Sequence, residues 1–196
     1  MLDKQSQYVK EYLGRIENLF PHFLAQDYSY LDEKTVKVVK EIDRGWKYRV
    51  VKDLKSNVFI KDFYSDELKS LIYDENILDV TIQSIPPNHF IDPHIDDKAH
   101  DKNVWRVLLP INTDNFILRR SGKTDVVEVG KVYEIDYTYE AHSSWNVSKT
   151  EPFVTWMFDI FYPDGSLYSN KTVRGIGINS RTKMDDIDSY YNIAGF

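Results

Sequence analysis

The stretch Asp79-Val80-Thr81-Ile82-Gln83-Ser84-Ile85 alternates polar and apolar side chains. That is the period of a strand with one buried face, because successive strand residues point to opposite sides of a sheet. Downstream the same signal recurs. Val104 to Ile111 is a nearly continuous apolar run, stopped by Pro110 and Asn112. Asn115 to Arg119 and Val126 to Val129 read as short strands joined through Ser121-Gly122. Gly130 punctuates, Val132-Tyr133-Glu134-Ile135 restarts the alternation, and Phe153 to Phe161 is a last aromatic strand ending at Pro163-Asp164-Gly165. Short strands with turn signals at intervals of about ten residues predict a sandwich or closed roll.

Upstream the period changes. Val9, Tyr12, Leu13, Ile16, Leu19 and Phe20 recur at helical spacing and predict an amphipathic helix ending before Pro21. Ser65 followed by Asp66 and Glu67 reads as an N-cap with an acidic first turn, and Leu68, Leu71 and Ile72 supply the buried stripe of that helix. Thr35 to Ile42 is compatible with helix or strand and is read as helix. With helices first and strands later, the class is α+β, mainly β. No repeat or Gly/Ser-rich linker divides the chain, which is read as a single domain over 1–196: a helical N-terminal flank over 1–77, a β core over 78–162 and a C-terminal tail over 163–196. Arg174-Gly175-Ile176-Gly177 in that tail reads as a mobile segment closing over a site or as a frayed terminus.

Composition narrows the classes of function. A length of 196 residues, 42% hydrophobic and 29% charged, suits one globular core. No apolar run approaches the roughly 18 residues needed to span a bilayer, and the polar start Met1-Leu2-Asp3-Lys4-Gln5 lacks the apolar core of a signal peptide. Zero cysteines exclude disulfides, thiolate metal sites and a cysteine nucleophile together. A soluble, cytoplasmic protein is expected. The formal charge of -6 is spread along the chain, and Arg119-Arg120 is the longest basic run, so a nucleic-acid partner is not expected. A small-molecule or peptide substrate fits better.

Of the five histidines, only His94 sits in a His-x-acid triplet, His94-Ile95-Asp96. On an extended strand these two side chains share a face and can aim at one point. A histidine from a distant strand would complete a facial two-histidine, one-carboxylate set, which leaves adjacent positions open on iron(II) for oxygen chemistry. His142, after the Gly130-led strand, is the candidate. Arg106 interrupts the apolar strand Val104-Trp105-Arg106-Val107-Leu108-Leu109, and a buried charge there requires a partner. A carboxylate of a dicarboxylic cosubstrate is one choice; Asp97 or Asp101 is another. The plainer alternatives are a surface turn for His94 and Asp96 and a core histidine for His142. Arg119 and Arg120 could be a solvated edge. Trp105, Trp145 and Trp156 suit core packing or a pocket wall, and Asn146 could bond a substrate or close a turn. His22, His89 and His100 read as structural or exposed.

The run Pro93-His94-Ile95-Asp96, then Arg106, Leu108-Leu109-Pro110-Ile111-Asn112, Gly130-Lys131-Val132-Tyr133-Glu134-Ile135 and His142-Ser143-Ser144-Trp145-Asn146, resembles the aspartyl/asparaginyl β-hydroxylase superfamily, which includes the cis-proline hydroxylases. The resemblance spans about residues 79–160. It implies a double-stranded β-helix (a jelly-roll, cupin-like core) with N-terminal flanking helices. It further implies a dioxygenase that uses iron(II), 2-oxoglutarate and O2 to hydroxylate an amino acid, an amino-acid-derived small molecule or a peptide side chain, releasing succinate and CO2. By the same resemblance His94, Asp96 and His142 are the metal ligands and catalytic residues. Arg106, with Arg119 and Arg120 as substitutes, binds the cosubstrate, while Trp105, Trp145 and Asn146 are candidate substrate contacts. One departure stands out. Pro152 and Phe153 occupy the place, about ten residues past the distal histidine, where the family carries an arginine for the far carboxylate of 2-oxoglutarate. Arg106 alone, Arg119, Arg120 or Lys149 would then do that work, or the cosubstrate site is lost. In that last case the chain is a cupin-like metal-binding or isomerase module.

Overall fold

The computed structural model describes residues 2–28, 39–43, 45–53, 58–59, 65–94, 104–120, 123–135 and 142–161. Helix α1 (Leu2–Asn18) leads into the short α2 (Phe20–Leu24), and α3 (Asp66–Ile72) follows later. The strands before the core are β1 (Val39–Asp43), β2 (Trp46–Asp53) and β3 (Val58–Phe59). Those of the core are β4 (Ile77–Ile85), β5 (Phe90–His94), β6 (Val104–Pro110), β7 (Phe116–Arg120), β8 (Lys123–Val126), β9 (Tyr133–Ile135), β10 (His142–Asn146) and β11 (Phe153–Phe161).

Among the described residues the strands form two antiparallel sheets, a seven-stranded one ordered β1-β2-β4-β11-β6-β9 with β3 on β2, and a four-stranded one ordered β5-β10-β7-β8. From β4 onward the chain passes back and forth between them, so the first core strand lies beside the last and every hairpin partner but one is in the facing sheet. That strand order is a jelly roll, the double-stranded β-helix of cupin-like proteins. The periodicity of β11 explains how the layers form. Val154, Trp156, Phe158 and Ile160 pack outward with Tyr12, Ile16, Phe23, Leu68 and Leu71 of the helices, while Phe153 and Met157 pack inward with Leu108, Phe116 and Leu118. A strand covered on both faces reads as a nearly continuous apolar run, which residues 153–161 do apart from Thr155 and Asp159.

The α3 N-cap is as expected: Leu68 N–H donates to Ser65 Oγ at 3.4 Å, and Leu68, Leu71 and Ile72 are buried. Helix α1 ends at Asn18, before Pro21 as expected, and Pro21 stands in the first turn of α2, where a missing N–H costs nothing. Two expectations are corrected. Thr35 to Ile42 is not a helix where it is described. Val39–Asp43 is β1, turned onto β2 through Gly45 at φ +93, so the flank over 1–77 also carries strands that widen the larger sheet. Residues 35–38 lie outside the described residues. The strand expected at Val126 to Val129 lies earlier, at Lys123–Val126, where the register pairs Arg120 with Lys123 and Ile117 with Val126.

Helix α1 is tied down at Asp74. Tyr12 Oη donates to Asp74 Oδ1 at 2.9 Å and Arg15 Nη1 to Oδ2 at 2.6 Å, and the Asn76 N–H adds a third bond at 3.0 Å. Burial pushes the Asp74 carboxyl up, but the hydrogen bonds from Arg15, the Asn76 backbone and Tyr12 outweigh it and hold it below its ordinary range. A carboxyl with a lowered folded-state pKa contributes stability that is fully present above its unfolded value, about 3.9, and is lost as pH falls through the folded one. The urea midpoint is therefore expected to fall below about pH 4, and Asp74→Asn to lower the neutral midpoint and flatten that acid limb. An unchanged acid limb in the variant would show that other carboxylates govern it.

Candidate metal and ligand site

The two sheets enclose a cavity of about 580 Å³. One wall carries side chains of β2, β4, β6, β9 and β11; the other carries Ile91 and His94 of β5, Phe116 and Leu118 of β7, and His142 and Ser144 of β10. One end of the barrel is closed by an apolar cluster in which Phe116 and Phe153 stack at 3.7 Å.

His94 ends β5 and His142 begins β10, and the two are direct partners in the antiparallel register. Their ring centroids are 4.4 Å apart, inclined at 52°. His94 Nδ1 lies 2.7 Å from the Asp92 carbonyl oxygen. A carbonyl only accepts, so Nδ1 carries the proton and Nε2 keeps its lone pair, the arrangement that readies an imidazole to bind a metal. His142 is buried, 7% exposed. Two imidazoles side by side at a cavity wall suit, in their neutral form, a borderline cation such as iron(II) or zinc. Asp96, the expected third ligand, lies outside the described residues, as does His100; among the described residues no three His, Asp or Glu side chains group around one point.

Arg106 lines the same cavity as the histidines. Its Nε and Nη2 donate to the two oxygens of Asp159 at 2.7 and 2.9 Å, a bidentate pair with both side chains largely buried. Asp97 and Asp101, the partners considered from the sequence, lie outside the described residues. Asp159 is the lone acid of an apolar strand opposite the lone base of another. The pair sits in a longer row. Asp53, Asp79, Asp159 and Arg106 are consecutive cross-strand partners on β2, β4, β11 and β6, and all four line the cavity. Beside them burial pushes the Lys52 ammonium down, with Asp74 and Asp79 pulling back only in part, and its Nζ donates to the Ile72 and Asp74 carbonyls at 2.9 and 3.0 Å.

The other expected site residues are placed elsewhere. Arg120 pairs in register with His142, but its Nε and Nη2 donate to Asp125 at 3.3 and 3.2 Å; Arg119, its neighbour, is partnered with Ser143 and Thr124 in the register. Neither lines the cavity. Phe153, where an arginine would stand, is wholly buried in the apolar cluster, and Lys149 is exposed. Trp105 packs in the core beneath the helices, as does Trp156. Trp145 is 42% exposed in an in-register row with Phe90, Ile117 and Val126 across the smaller sheet. Asn146 is a clamp: its Nδ2 donates to the Ile85, Pro86 and Glu151 carbonyls at 3.0, 3.1 and 2.9 Å, and its Oδ1 accepts from Ser148 N–H at 3.1 Å. Asn146→Leu orphans several buried backbone groups and is expected to cost on the order of 3 kcal/mol in urea denaturation. A loss under about 1 kcal/mol would mean that water replaces the amide.

Sequence reasoning missed Trp46 and Asp53 as cavity residues because the strand carrying them was not recognised, and it missed Asp79 and Gln83 because the polar face of β4 was taken as the one facing water. Among the described residues no helix is long and apolar enough to cross a membrane. No protein-family model matches the chain, and no curated protein does. Among solved structures the chain is similar to KdgF from a Halomonas species (TM-score 0.41, 7% identity, covering 64% of this chain and 89% of that one). It is similar also to an RmlC-like cupin from Shewanella frigidimarina (TM-score 0.42, 8% identity, 67% and 91%). A third is the DMSP lyase DddQ from Ruegeria pomeroyi (TM-score 0.39, 9% identity, 59% and 46%). The assignment of the fold rests on the strand order itself.

Proposed function

We propose that the chain is an iron(II)- and 2-oxoglutarate-dependent hydroxylase acting on an amino acid, an amino-acid-derived small molecule or a peptide side chain. The observation that carries this reading is the pairing of His94 with His142 in register at the cavity wall, with the His94 tautomer set by the Asp92 carbonyl. When bound, the metal with its 2-oxo acid would supply the oxidising power for the hydroxylation, with succinate and CO2 as coproducts. His94 and His142 hold it through neutral imidazoles, and Asp96 is the proposed third ligand. Arg106 is the proposed cosubstrate contact, with its guanidinium plane fixed by Asp159. The enclosing sheets limit access of bulk water.

A second reading, a cupin-like metal-binding or isomerase module without oxygenase activity, is favoured by two observations. Asp159 already engages two nitrogens of Arg106, and Phe153 fills the place of the expected arginine. Anaerobic titration with iron(II) and 2-oxoglutarate separates the two. The hydroxylase gives a weak visible charge-transfer band that disappears in His94→Ala. Metal binding without that band selects the second reading, and absence of metal binding defeats both.

A further inference from the structure

Gln83 stands on the cavity face of β4 between Thr81 and Ile85, and only 9% of it is exposed. Its Oε1 accepts a hydrogen bond from Trp46 Nε1 at 3.2 Å. An indole N–H can only donate, so the atom facing it must be the amide oxygen and the amide cannot be turned over. The two protons of Nε2 are thereby presented on the other side. Among the described residues they find no acceptor; Thr155, opposite Gln83 on β11, spends its hydroxyl on the Trp156 carbonyl at 3.1 Å. A largely buried amide held in one orientation with donors to spare calls for an acceptor inside the cavity.

Position along the strand says which acceptor. Asp79 lies two cavity-facing places before Gln83, about 13 Å away at the rise of a strand, and forms with Asp53 and Asp159 the acidic row of the wall. At that end Arg106, the cation of the row, is already engaged by Asp159, whereas at the other end a ligand carboxylate finds neutral donors beside the Trp46 and Tyr48 rings. We propose that Gln83, oriented by Trp46, is the specificity residue through which this cavity holds the carboxylate of its ligand. The inference rests on the cavity being the ligand site of the proposed enzyme. The carboxylate could belong to the 2-oxo acid or to an amino-acid substrate, and the test separates them.

Wild type, Gln83→Glu and Gln83→Met, checked for native near-ultraviolet dichroism, are titrated anaerobically with iron(II) present by calorimetry. The probes are 2-oxoglutarate and, separately, L-proline, L-aspartate and L-asparagine. Gln83→Glu keeps the volume and the acceptor for Trp46 but replaces donors with charge; Gln83→Met removes donors without adding charge and serves if the glutamate variant fails to fold. Loss of at least about tenfold in affinity is expected in both, the scale of one hydrogen bond to a charged group, and larger in Gln83→Glu. A loss confined to 2-oxoglutarate assigns the carboxylate to the 2-oxo acid; a loss confined to an amino acid assigns it to the substrate. Variants within twofold of wild type for every probe that binds overturn the inference, while a persistent 2-oxoglutarate band would leave the hydroxylase reading standing. A wild type that holds an amino acid through Gln83 but never 2-oxoglutarate does the reverse. A wild type that binds none of the probes overturns the inference.

Discussion

Arg106→Leu is expected to destabilise the fold by about 3–5 kcal/mol, the range seen when one partner of a buried ion pair is removed. The guanidinium and the Asp159 carboxylate are 14% and 7% exposed and meet through two short bonds. Without Arg106, Asp159 loses its bidentate cation and is left beside Asp79, which is itself beside Asp53, so three carboxylates stand on neighbouring strands. Like charges directly opposite one another in a sheet repel. Asp159→Asn is expected to cost less, since it removes one member of that row and leaves Arg106 an amide oxygen to bind. The double variant Arg106→Leu/Asp159→Leu is expected to regain most of the loss, because an apolar pair of similar size replaces a buried ionic one at little cost. Urea denaturation of the three proteins measures this. If Arg106→Leu and Asp159→Asn cost the same and the double variant regains nothing, the acidic row has no energetic role.

The second large effect concerns the metal. His94→Ala and His142→Ala are each expected to lower iron(II) affinity by more than the roughly 10–100-fold that loss of an outer hydrogen-bonding partner costs a metal site. His94→Ala is expected to leave the urea midpoint nearly unchanged, because that ring lies at a strand end on the cavity wall and is not part of the apolar core. Anaerobic calorimetry with iron(II) reads the affinity. Retention of wild-type affinity in either variant would show that the two imidazoles do not share a metal. An Asp96→Ala protein run alongside tests the third ligand that the family resemblance implies.

Most of the jelly roll was legible from β4 onward because strands such as β4, β6 and β11 have one buried face or two, whereas the short, polar β10 that carries His142 was not read as a strand. The end of β11 at Phe161 and the cap at Ser65 could be read from local chemistry alone. The strands Val39–Asp43 and Trp46–Asp53 could not, because Lys40 and Glu41 interrupt the first and Lys47, Arg49 and Lys52 dilute the apolar period of the second; Arg49 and Lys52 are buried all the same. The histidine pair was legible as a pair of residue types, but which atoms face each other depends on a register between strands far apart in sequence. Asp159 was hidden for a related reason. A lone carboxylate in an aromatic strand announces that it needs a cation, but only the pairing of β11 with β6 reveals that the cation is Arg106.

The position of β11 between β4 and β6 has a consequence for the order of events in time. A growing chain makes β4 and β6 early and β11 last among the core strands, so both inner edges of the larger sheet stay unpaired until residue 161 has been made. Ile77 waits for Ile160 and Ile85 for Phe153, contacts of long sequence separation that close slowly. During that interval two apolar strands offer open backbone edges to any neighbour. Met157 and Asp159 of β11 are part of the cavity wall, so the site exists only once the final strand has slid into place, and an incomplete chain has no partly working cavity to misuse.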